Sequence, residues 1–499
     1  MTSPASAAPG RKDHRWLGLA IIAIAQLMVV LDATIVNIAL PSAQQALGFA
    51  DEQRQWVITA YALAFGSLLL LGGRLGDLFG RKNTFIIGLV GFALASVLGG
   101  FAESFEVLVA ARALQGVFGA LLAPSALGML TTTFIDPRER GRAFGIFGSI
   151  AGSGAAVGML LGGLLTEYSS WRWCLFVNVV FAVVGVIGGA VLLRTPPRAQ
   201  RPRIDVAGVV TITAGLVGIV WGFSAAETDG WDSPLAIGLL VGGALLVVAF
   251  VLIERRVAQP LLPLRIVLDR DRGGALLAIS MSSIGMFGIF LFLTYYLQGT
   301  LGFGALQTGL AFLPMPASIM LSATQIGGRL LPRVGPKLLI GAGGMLGAAG
   351  LLLLLRTEAD STYAAVVLPA LIVIGLGMGL IFSSAMNTAT TGVARQDAGV
   401  ASATVNTGQQ IGGAIGTALL STIFADALDR GMSDAAGDPS ASAEALMTAY
   451  HTAFTVSAGA MLLVSVAAIA LIRPHRERQA RLAAVQPNAP SGSVPTVAH

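Results

Sequence analysis

Two ionisable residues lie inside apolar segments of the sequence, and they give the strongest indication of chemistry. Asp32 lies about sixteen residues into the apolar segment 16–40, and Arg112 lies within 106–130. A charge at the centre of a bilayer costs about 2.5–3.5 kcal/mol on insertion scales, so such residues usually have a function. A carboxylate that gains and loses a proton beside a guanidinium that stays charged is suited to proton transfer. We therefore predict that Asp32 and Arg112 couple proton movement to the activity of the protein.

Both residues also have a purely structural interpretation. Asp32 could cap a helix at the membrane interface, and Arg112 could hold helices together or extend to the lipid headgroups. Against this, the aspartate side chain is too short to reach far. Arg112, Gln115, Gly116 and Gly119 recur at helical spacing and share one face, which suits a bundle interior. Whether the two charges touch is left open by the sequence.

A second set of polar or aromatic side chains could line a substrate cavity. Gln26 and Asn37 share one face of segment 16–40, but Asn37 is displaced from Asp32 by about 140° around the helix. The polar face of segment 400–425 is explained equally well by hydrogen bonding between helices. Aromatic and methionine surfaces, as around Tyr295, adapt to varied apolar ligands. The predicted cavity residues are Gln26, Asn37, Gln115, Tyr295, Asn406, Gln409 and Gln410.

The composition is that of a membrane protein. Of the 499 residues, 55% are hydrophobic and only 11% are charged, whereas about a quarter of a soluble globular chain is charged. The single cysteine, Cys174, excludes a disulfide within the chain and a cysteine-based metal site. The four histidines do not cluster, and the zinc-protease HExxH, phosphate-binding GxxxxGK and hydrolase GxSxG elements do not occur. We therefore expect no metal and no cofactor.

Fourteen apolar segments are long enough to cross a hydrocarbon core of about 30 Å. Most of the 31 lysine and arginine residues fall in every second loop between them, as expected of cytoplasmic loops. One missing or extra helix would destroy this alternation, so it supports an even number of helices with both termini in the cytoplasm. The net charge of +5 is accounted for by these basic loops, so we expect no nucleic-acid partner. The predicted helices are 16–40, 54–73, 84–102, 106–130, 143–166, 173–193, 206–223, 235–253, 274–297, 305–328, 338–355, 363–385, 400–425 and 451–472.

An internal repeat indicates two related halves. Residues 72–82, GGRLGDLFGRK, match 327–337, GGRLLPRVGPK, at six of eleven positions, and glycines of helix five correspond to glycines of helix thirteen. The matching segments follow helices two and ten, so each half has six helices, and helices seven and eight are inserted. The predicted fold is an all-α membrane protein with two six-helix bundles and two extra central helices. Its parts are the tail 1–15, the first bundle 16–194, the linker region 195–272 with the extra helices, the second bundle 273–472 and the tail 473–499.

Three motifs then point to a family. Residues 31–41 read LDATIVNIALP in helix one, 73–82 read GRLGDLFGRK after helix two, and 112–116 read RALQG in helix four. Together they resemble the major facilitator superfamily, specifically its fourteen-helix drug/proton antiporter branch of QacA/EmrB-like exporters, over nearly the whole chain. The resemblance implies a part in proton coupling for Arg112. It also implies a cytoplasmic gate made of Gly73, Asp77, Gly80, Arg81 and Lys82.

Helix five carries the remaining motif and departs from the family pattern. Gly154, Gly158 and Gly162 at four-residue spacing, followed by Gly163, permit close helix contact. Met159 follows Gly158 where the family has proline, so this helix is expected to be straighter. Helices ten and thirteen also lack the extra acids of some multidrug relatives, which argues against dicationic substrates.

We expect a secondary active transporter, not an enzyme. In this hypothesis proton entry drives export of hydrophobic or amphipathic small molecules, such as drugs or antibiotics, by alternating access; export of one metabolite, lipid or amino acid is the alternative. A membrane enzyme would need converging catalytic groups, and a channel would need a charged ring or a filter; the sequence shows neither. The expected partners are the substrate, protons and the lipid bilayer of the inner (plasma) membrane, and we expect the protein to function as a monomer.

Overall fold

The computed structural model describes residues 15–50, 53–134, 137–193, 205–257, 260–358, 361–391, 393, 398–435 and 438–478. The predicted tails lie outside this range, except for Arg15 and residues 473–478. Within the described residues the chain is helical and contains no strand. Thirteen of these helices are long and apolar enough to cross a membrane, judged by length and composition.

The long helices of the described chain number fourteen, and the all-α fold class predicted from the sequence is confirmed. Thirteen of the fourteen are the candidate membrane helices. The remaining one is α5, which has 32 residues and no internal break. π-helical turns extend α9 over Tyr296–Thr300 and interrupt α10 at Ser322–Gly327. The helices are α1 (Arg15–Leu47), α2 (Arg54–Phe79), α3 (Arg81–Gly100), α4 (Phe105–Thr133), α5 (Pro137–Tyr168), α6 (Trp173–Leu192), α7 (Val206–Asp229), α8 (Pro234–Glu254), α9 (Arg270–Tyr295), α10 (Ala305–Val334), α11 (Pro336–Leu353), α12 (Val367–Thr390), α13 (Ala398–Ala435) and α14 (Pro439–Leu471).

Several helices extend beyond their predicted ends because their polar extensions are stabilised locally. α13 continues to Ala435, and Asp426 pairs with Arg430 one turn later on its exposed surface. α14 begins at Pro439 because Asp438 caps it by accepting a hydrogen bond from the Ser440 amide. The hydrogen bond from the Ser440 hydroxyl lowers the pKa of the Asp438 carboxyl.

The motif at 73–82, predicted to follow helix two, is helical almost throughout. α2 continues through Phe79, and the chain turns only at Gly80, whose φ is 94°. The corresponding residue of the repeat, Gly335, has φ of 79° and separates α10 from α11 in the same way. A residue with a side chain is strained at these angles, so glycine is required at both breaks.

Glycine contacts define the crossing of helices within each half. On α5, Gly158 has no room for a side chain because a Cβ would overlap Thr34 and lie 3.0 Å from the Leu31 carbonyl oxygen of α1. On α13, a Cβ at Gly416 would lie 2.5 Å from the Ile284 Cα of α9. In both halves a glycine of the fifth helix of the bundle therefore contacts the first helix closely, so α5 crosses α1 much as α13 crosses α9.

The bundle has two chemically distinct ends. We call the end at which α1, α5 and α9 begin the basic end, where Arg15 pairs with Glu139 at 3.1 Å and Arg473 pairs with Asp271 at 3.1 Å. We call the other the opposite end. An even number of helices places both ends of the described chain at the basic end.

The extra helices α7 and α8 pack on each other through glycines, and α7 contacts both six-helix bundles. A Cβ at Gly243 of α8 would lie 2.7 Å from the Gly215 carbonyl oxygen of α7. Toward the opposite end, the Trp56 indole of α2 donates to the Ser224 hydroxyl at 3.1 Å, and the Thr422 hydroxyl of α13 donates to a carbonyl of α7 at 3.0 Å. α7 therefore covers the seam between α2 and α13.

Candidate functional site

The two charges identified within membrane segments form a buried ion pair. Nη1 of Arg112 on α4 lies 2.6 Å from Oδ2 of Asp32 on α1. The side chain of Asp32 is 0% exposed and that of Arg112 is 2% exposed. Removing two charges from water costs several kcal/mol per ion, and such a pair persists only when further hydrogen bonds satisfy both groups.

Two amide side chains complete the environment of the carboxylate. Gln115, one turn after Arg112, donates from Nε2 to Oδ1 of Asp32 at 2.9 Å. Asn178 on α6 donates from Nδ2 to the same oxygen at 2.7 Å. The carboxylate therefore receives three donors, from Arg112, Gln115 and Asn178, which matches the needs of an ionised group that only accepts hydrogen bonds.

The guanidinium is held from three further directions. Arg112 donates from Nε to the Val57 carbonyl of α2 at 3.0 Å and from Nη1 to Oε1 of Gln115 at 2.7 Å. The ring of Tyr61 lies 4.5 Å from the guanidinium carbon, a cation–π arrangement that stabilises a desolvated cation. α2 and α4 approach closely because Gly116 has no side chain, and a Cβ there would lie 2.5 Å from the Tyr61 carbonyl oxygen.

A small apolar cavity adjoins the ion pair on the side of the opposite end. Its volume is about 10 Å³, which is near the minimum for a single water molecule. Arg112 is its only charged wall, and the remaining walls include Leu40, Leu108 and Trp171. This geometry separates the ion pair from the opposite end by apolar side chains.

Gln115, Gln26 and Asn37 were predicted for the substrate cavity and lie in different surroundings. Gln115 is fully buried in the ion-pair cluster, where its Nε2 also donates to Ser96 of α3 at 2.8 Å. Asn37 is buried and donates to the Ala33 carbonyl of its own helix at 2.9 Å. Gln26 is half-buried on α1.

The amides predicted on α13 lie where the two six-helix bundles meet. Asn406, Gln409 and Gln410 are half-buried. A Cβ placed on Gly66 of α2 would lie 2.9 Å from Cβ of Gln410. These residues are therefore positioned at the contact between α2 and α13.

Tyr295 lies at the opposite end, where it bridges the two bundles. Its ring lies 3.8 Å from the guanidinium carbon of Arg54 on α2, and its hydroxyl donates to Oε1 of Gln44 on α1 at 2.6 Å. It also lines an open cavity of about 770 Å³, together with Glu167 and Gln298. Gln298 donates to the Ile38 carbonyl of α1 at 3.2 Å. At the opposite end, α9 and its π-helical extension therefore contact the first bundle directly.

The residues predicted to form the gate lie at the basic end, on the first bundle. Arg81 donates to the Gly128 carbonyl of α4 at 2.6 Å, and Lys82 donates to the Ala190 carbonyl of α6 at 2.7 Å. Gly73 faces α4, and Gly80 forms the break before α3. Asp77 is part of α2, but its side chain lies outside the described structure.

The helix-five glycines contact both bundles. Gly154, Gly158 and Gly162 face α1, whereas Gly163 faces α10, where a Cβ would lie 2.7 Å from the Leu306 Cα. Beside it, Glu167 accepts a hydrogen bond from the Leu306 amide at 3.4 Å. α5 therefore links the helix that carries Asp32 to the second bundle.

Two members of the ion-pair cluster, Asn178 and Ser96, were not identified from the sequence. Asn178 is the one amide or charged side chain between Trp173 and Leu192, so the polarity of this otherwise apolar helix was an available signal. Ser96 carried no such signal, because serine is common in transmembrane helices. Among the described residues, no group of three or more histidine, cysteine or acidic residues is placed to hold a metal ion.

Comparison with known proteins identifies the family. The family model described as Major Facilitator Superfamily matches residues 22–417. The chain belongs to this superfamily. The chain is therefore a multi-pass membrane transporter and not an enzyme.

Similar proteins include transporters named for antibiotics. The puromycin resistance protein of Streptomyces alboniger is 49% identical over 95% of this chain and 94% of its own length. The cephamycin export protein of Amycolatopsis lactamdurans is 39% identical over 81% of this chain and 84% of its own length. Among solved structures, a bacterial homologue of the human lysosomal transporter Spinster, in an inward-facing and occupied conformation, shares the fold with a TM-score of 0.63 and 15% identity, over 92% of this chain and 98% of that one.

Proposed function

We propose that the protein exports amphipathic antibiotics or similar hydrophobic molecules in exchange for protons, acting as a monomer. The observation that carries the proton-coupled part is the Asp32–Arg112 pair, a titratable group buried against a permanent charge in the middle of a membrane bundle. The substrate class is supported by the two relatives named for puromycin and cephamycin.

The transport cycle in this proposal is alternating access of the two six-helix bundles. The basic end faces the cytoplasm, since lysine and arginine collect on that side. In this proposal, the contacts of Tyr295 and Glu167 between the bundles keep the outer end closed beneath the cavity that they line, and they support assigning the described arrangement to a state closed to the outside. Opening the outer end would separate α9 and α10 from the first bundle and let a proton reach Asp32.

Proton entry supplies the driving force. A membrane potential of 100 mV is worth about 2.3 kcal/mol per charge moved, which sustains a roughly fifty-fold substrate gradient for each proton. Asp32 takes the proton up when it separates from Arg112 and gives it up when the pair re-forms, because a nearby guanidinium favours the carboxylate.

The test is transport of puromycin into everted membrane vesicles driven by an inside-acid gradient. We expect Asp32→Asn to abolish gradient-driven uptake while leaving puromycin binding intact, and Arg112→Lys to be strongly impaired because lysine loses its charge readily when buried. Asp426→Asn, which changes an exposed carboxylate on α13, is the control and should transport normally. If Asp32→Asn transports with the pH dependence of the unmodified protein, the proton site lies elsewhere.

The alternative is export of one dedicated metabolite, and the relative named as a cephamycin export protein favours it. The same vesicles distinguish the two readings. Competition of puromycin uptake by chemically unrelated antibiotics supports broad export, whereas competition by a single compound class supports a dedicated exporter.

A further inference from the structure

Asn178 has a feature that the proton-coupling proposal does not use. Its Nδ2 donates to Oδ1 of Asp32 at 2.7 Å, whereas its own Oδ1 is buried and has no hydrogen-bond partner. The residue is 0% exposed. A buried carbonyl oxygen without a partner costs free energy and calls for an explanation.

The ionised carboxylate and the carboxylic acid need different neighbours. Ionised Asp32 only accepts hydrogen bonds, and its three contacts are all donors. Protonated Asp32 carries a hydroxyl that must donate to an acceptor, since a buried donor without a partner is destabilising. The charged or titratable groups around Asp32 in the described structure are Arg112, Tyr61 and Cys174, and none of them contacts it as an acceptor.

The two amides next to Asp32 differ in how freely they can turn. Gln115 is held at both ends, because its Oε1 accepts from Arg112 and its Nε2 also donates to Ser96. Turning the Gln115 amide over would break both bonds. Turning the Asn178 amide over breaks only its bond to Asp32, because its oxygen has no partner to lose.

We propose that Asn178 is a positioning residue that reverses its side-chain amide when Asp32 takes up a proton. A half turn about the Cβ–Cγ bond brings Oδ1 of Asn178 to the place of Nδ2. The proton adds to Oδ1 of Asp32, away from Arg112, and the new hydroxyl donates to Oδ1 of Asn178. On release, the proton passes from Asp32 to water and the amide turns back to donate again. This inference rests on the proposed proton coupling by Asp32.

The direct test is infrared difference spectroscopy of the purified protein in lipid nanodiscs, between alkaline and acid buffer, with asparagine labelled at the side-chain carbonyl carbon. We expect a carboxylic-acid band that is absent from Asp32→Asn. With it we expect a shift of one asparagine carbonyl band to lower frequency that is absent from Asn178→Ala. An Asp32 band without an accompanying Asn178 shift overturns this inference and leaves proton coupling standing. Absence of any Asp32 band across the pH range overturns both.

Transport of substituted proteins gives a second test. Asn178→Ser keeps a group that can donate or accept, and Asn178→Ala keeps neither. We expect Asn178→Ala to lower gradient-driven uptake at least about tenfold, as loss of a hydrogen bond to a charged group would, while substrate exchange without a gradient is unchanged. Asn178→Ser should stay within about threefold of the unmodified protein. Asn387→Ala, an exposed amide on α12, is the matched control.

Two outcomes of the transport test contradict the proposal. If Asn178→Ser fails as badly as Asn178→Ala, the residue fills space and its hydrogen bonding is unimportant. If Asn178→Ala moves the pH profile toward alkaline pH without lowering the maximal rate, Asn178 acts only as a donor to the carboxylate, and no reversal is needed.

Discussion

The ion pair predicts an asymmetric response of stability to loss of either partner. Arg112→Met leaves Asp32 with its two amide donors, Gln115 and Asn178. Asp32→Asn leaves Arg112 with the Val57 carbonyl and the Gln115 oxygen. In each case one buried charge loses its opposite charge, and breaking a buried pair in this way typically costs about 3–5 kcal/mol.

The two substitutions should differ in their dependence on pH. An isolated buried carboxylate escapes the cost by binding a proton, whereas a guanidinium cannot lose its proton in a protein. The destabilisation of Arg112→Met should therefore be largest at alkaline pH and shrink as the pH falls and Asp32 is protonated. The destabilisation of Asp32→Asn should remain at about 3–5 kcal/mol across the range. The double variant carries no charge at positions 32 and 112 and should recover much of the loss.

The measurement is thermal unfolding in nanodiscs at about pH 5 and about pH 8, followed by tryptophan fluorescence. The sensitivity of the unmodified protein to pH is subtracted from each variant. Equal destabilisation of Arg112→Met at both pH values would contradict the reasoning, because Asp32 would then not be taking up the proton. A double variant less stable than both single variants would show that the pair is not a coupled unit.

Three further outcomes are expected. Gly158→Val should lower the free energy of unfolding by about 1–3 kcal/mol, since the valine side chain would overlap α1. Gly242→Val is the control and should have little effect, because nothing lies within 4 Å of a Cβ at that position. Thermal unfolding measures both. Tyr295→Phe keeps the ring but removes the hydroxyl that donates to Gln44, and spin-label distances across the opposite end should broaden as about 1 kcal/mol of contact is lost. Asp271→Asn removes the charge that pairs with the terminal segment after α14, and the first step of limited proteolysis there should become faster.

Much of the helix arrangement could be predicted because it follows from the bilayer itself. Apolar length and the alternation of basic loops depend on the solvent that each segment meets, and both are visible in the sequence. The predicted helix ends were less accurate where polar residues continue a helix outside the apolar layer, as at Asp438 and along 426–435. Those extensions depend on caps and ion pairs, which hydropathy does not record.

Only the charged residues of the candidate site could be predicted from the sequence. Asp32 and Arg112 were found because an ionisable residue in an apolar helix is rare, whereas Asn178 and Ser96 are neutral and acquire importance only through contact across four helices. Helical geometry left the rotation of α1 undetermined. In the structure, the α5 glycines pack on α1 at Leu31 and Thr34, and both Asp32 and Asn37 are buried.

The position of the ion pair constrains how a proton can act on transport. The three hydrogen bonds that the Asp32 carboxylate accepts in the described structure all come from the first bundle, so the second bundle does not contact the carboxylate through them. A change at Asp32 can reach the second bundle through helix packing. Leu31 and Thr34, on either side of Asp32, pack on Gly158 of α5, and Gly163 of α5 packs on α10. The helices are closely packed at these crossings, with no free space between them, so a displacement of α1 must displace α5. In the proposed transport cycle, we therefore expect a rearrangement at the ion pair to move the two bundles relative to each other at the crossing of α5 with α10.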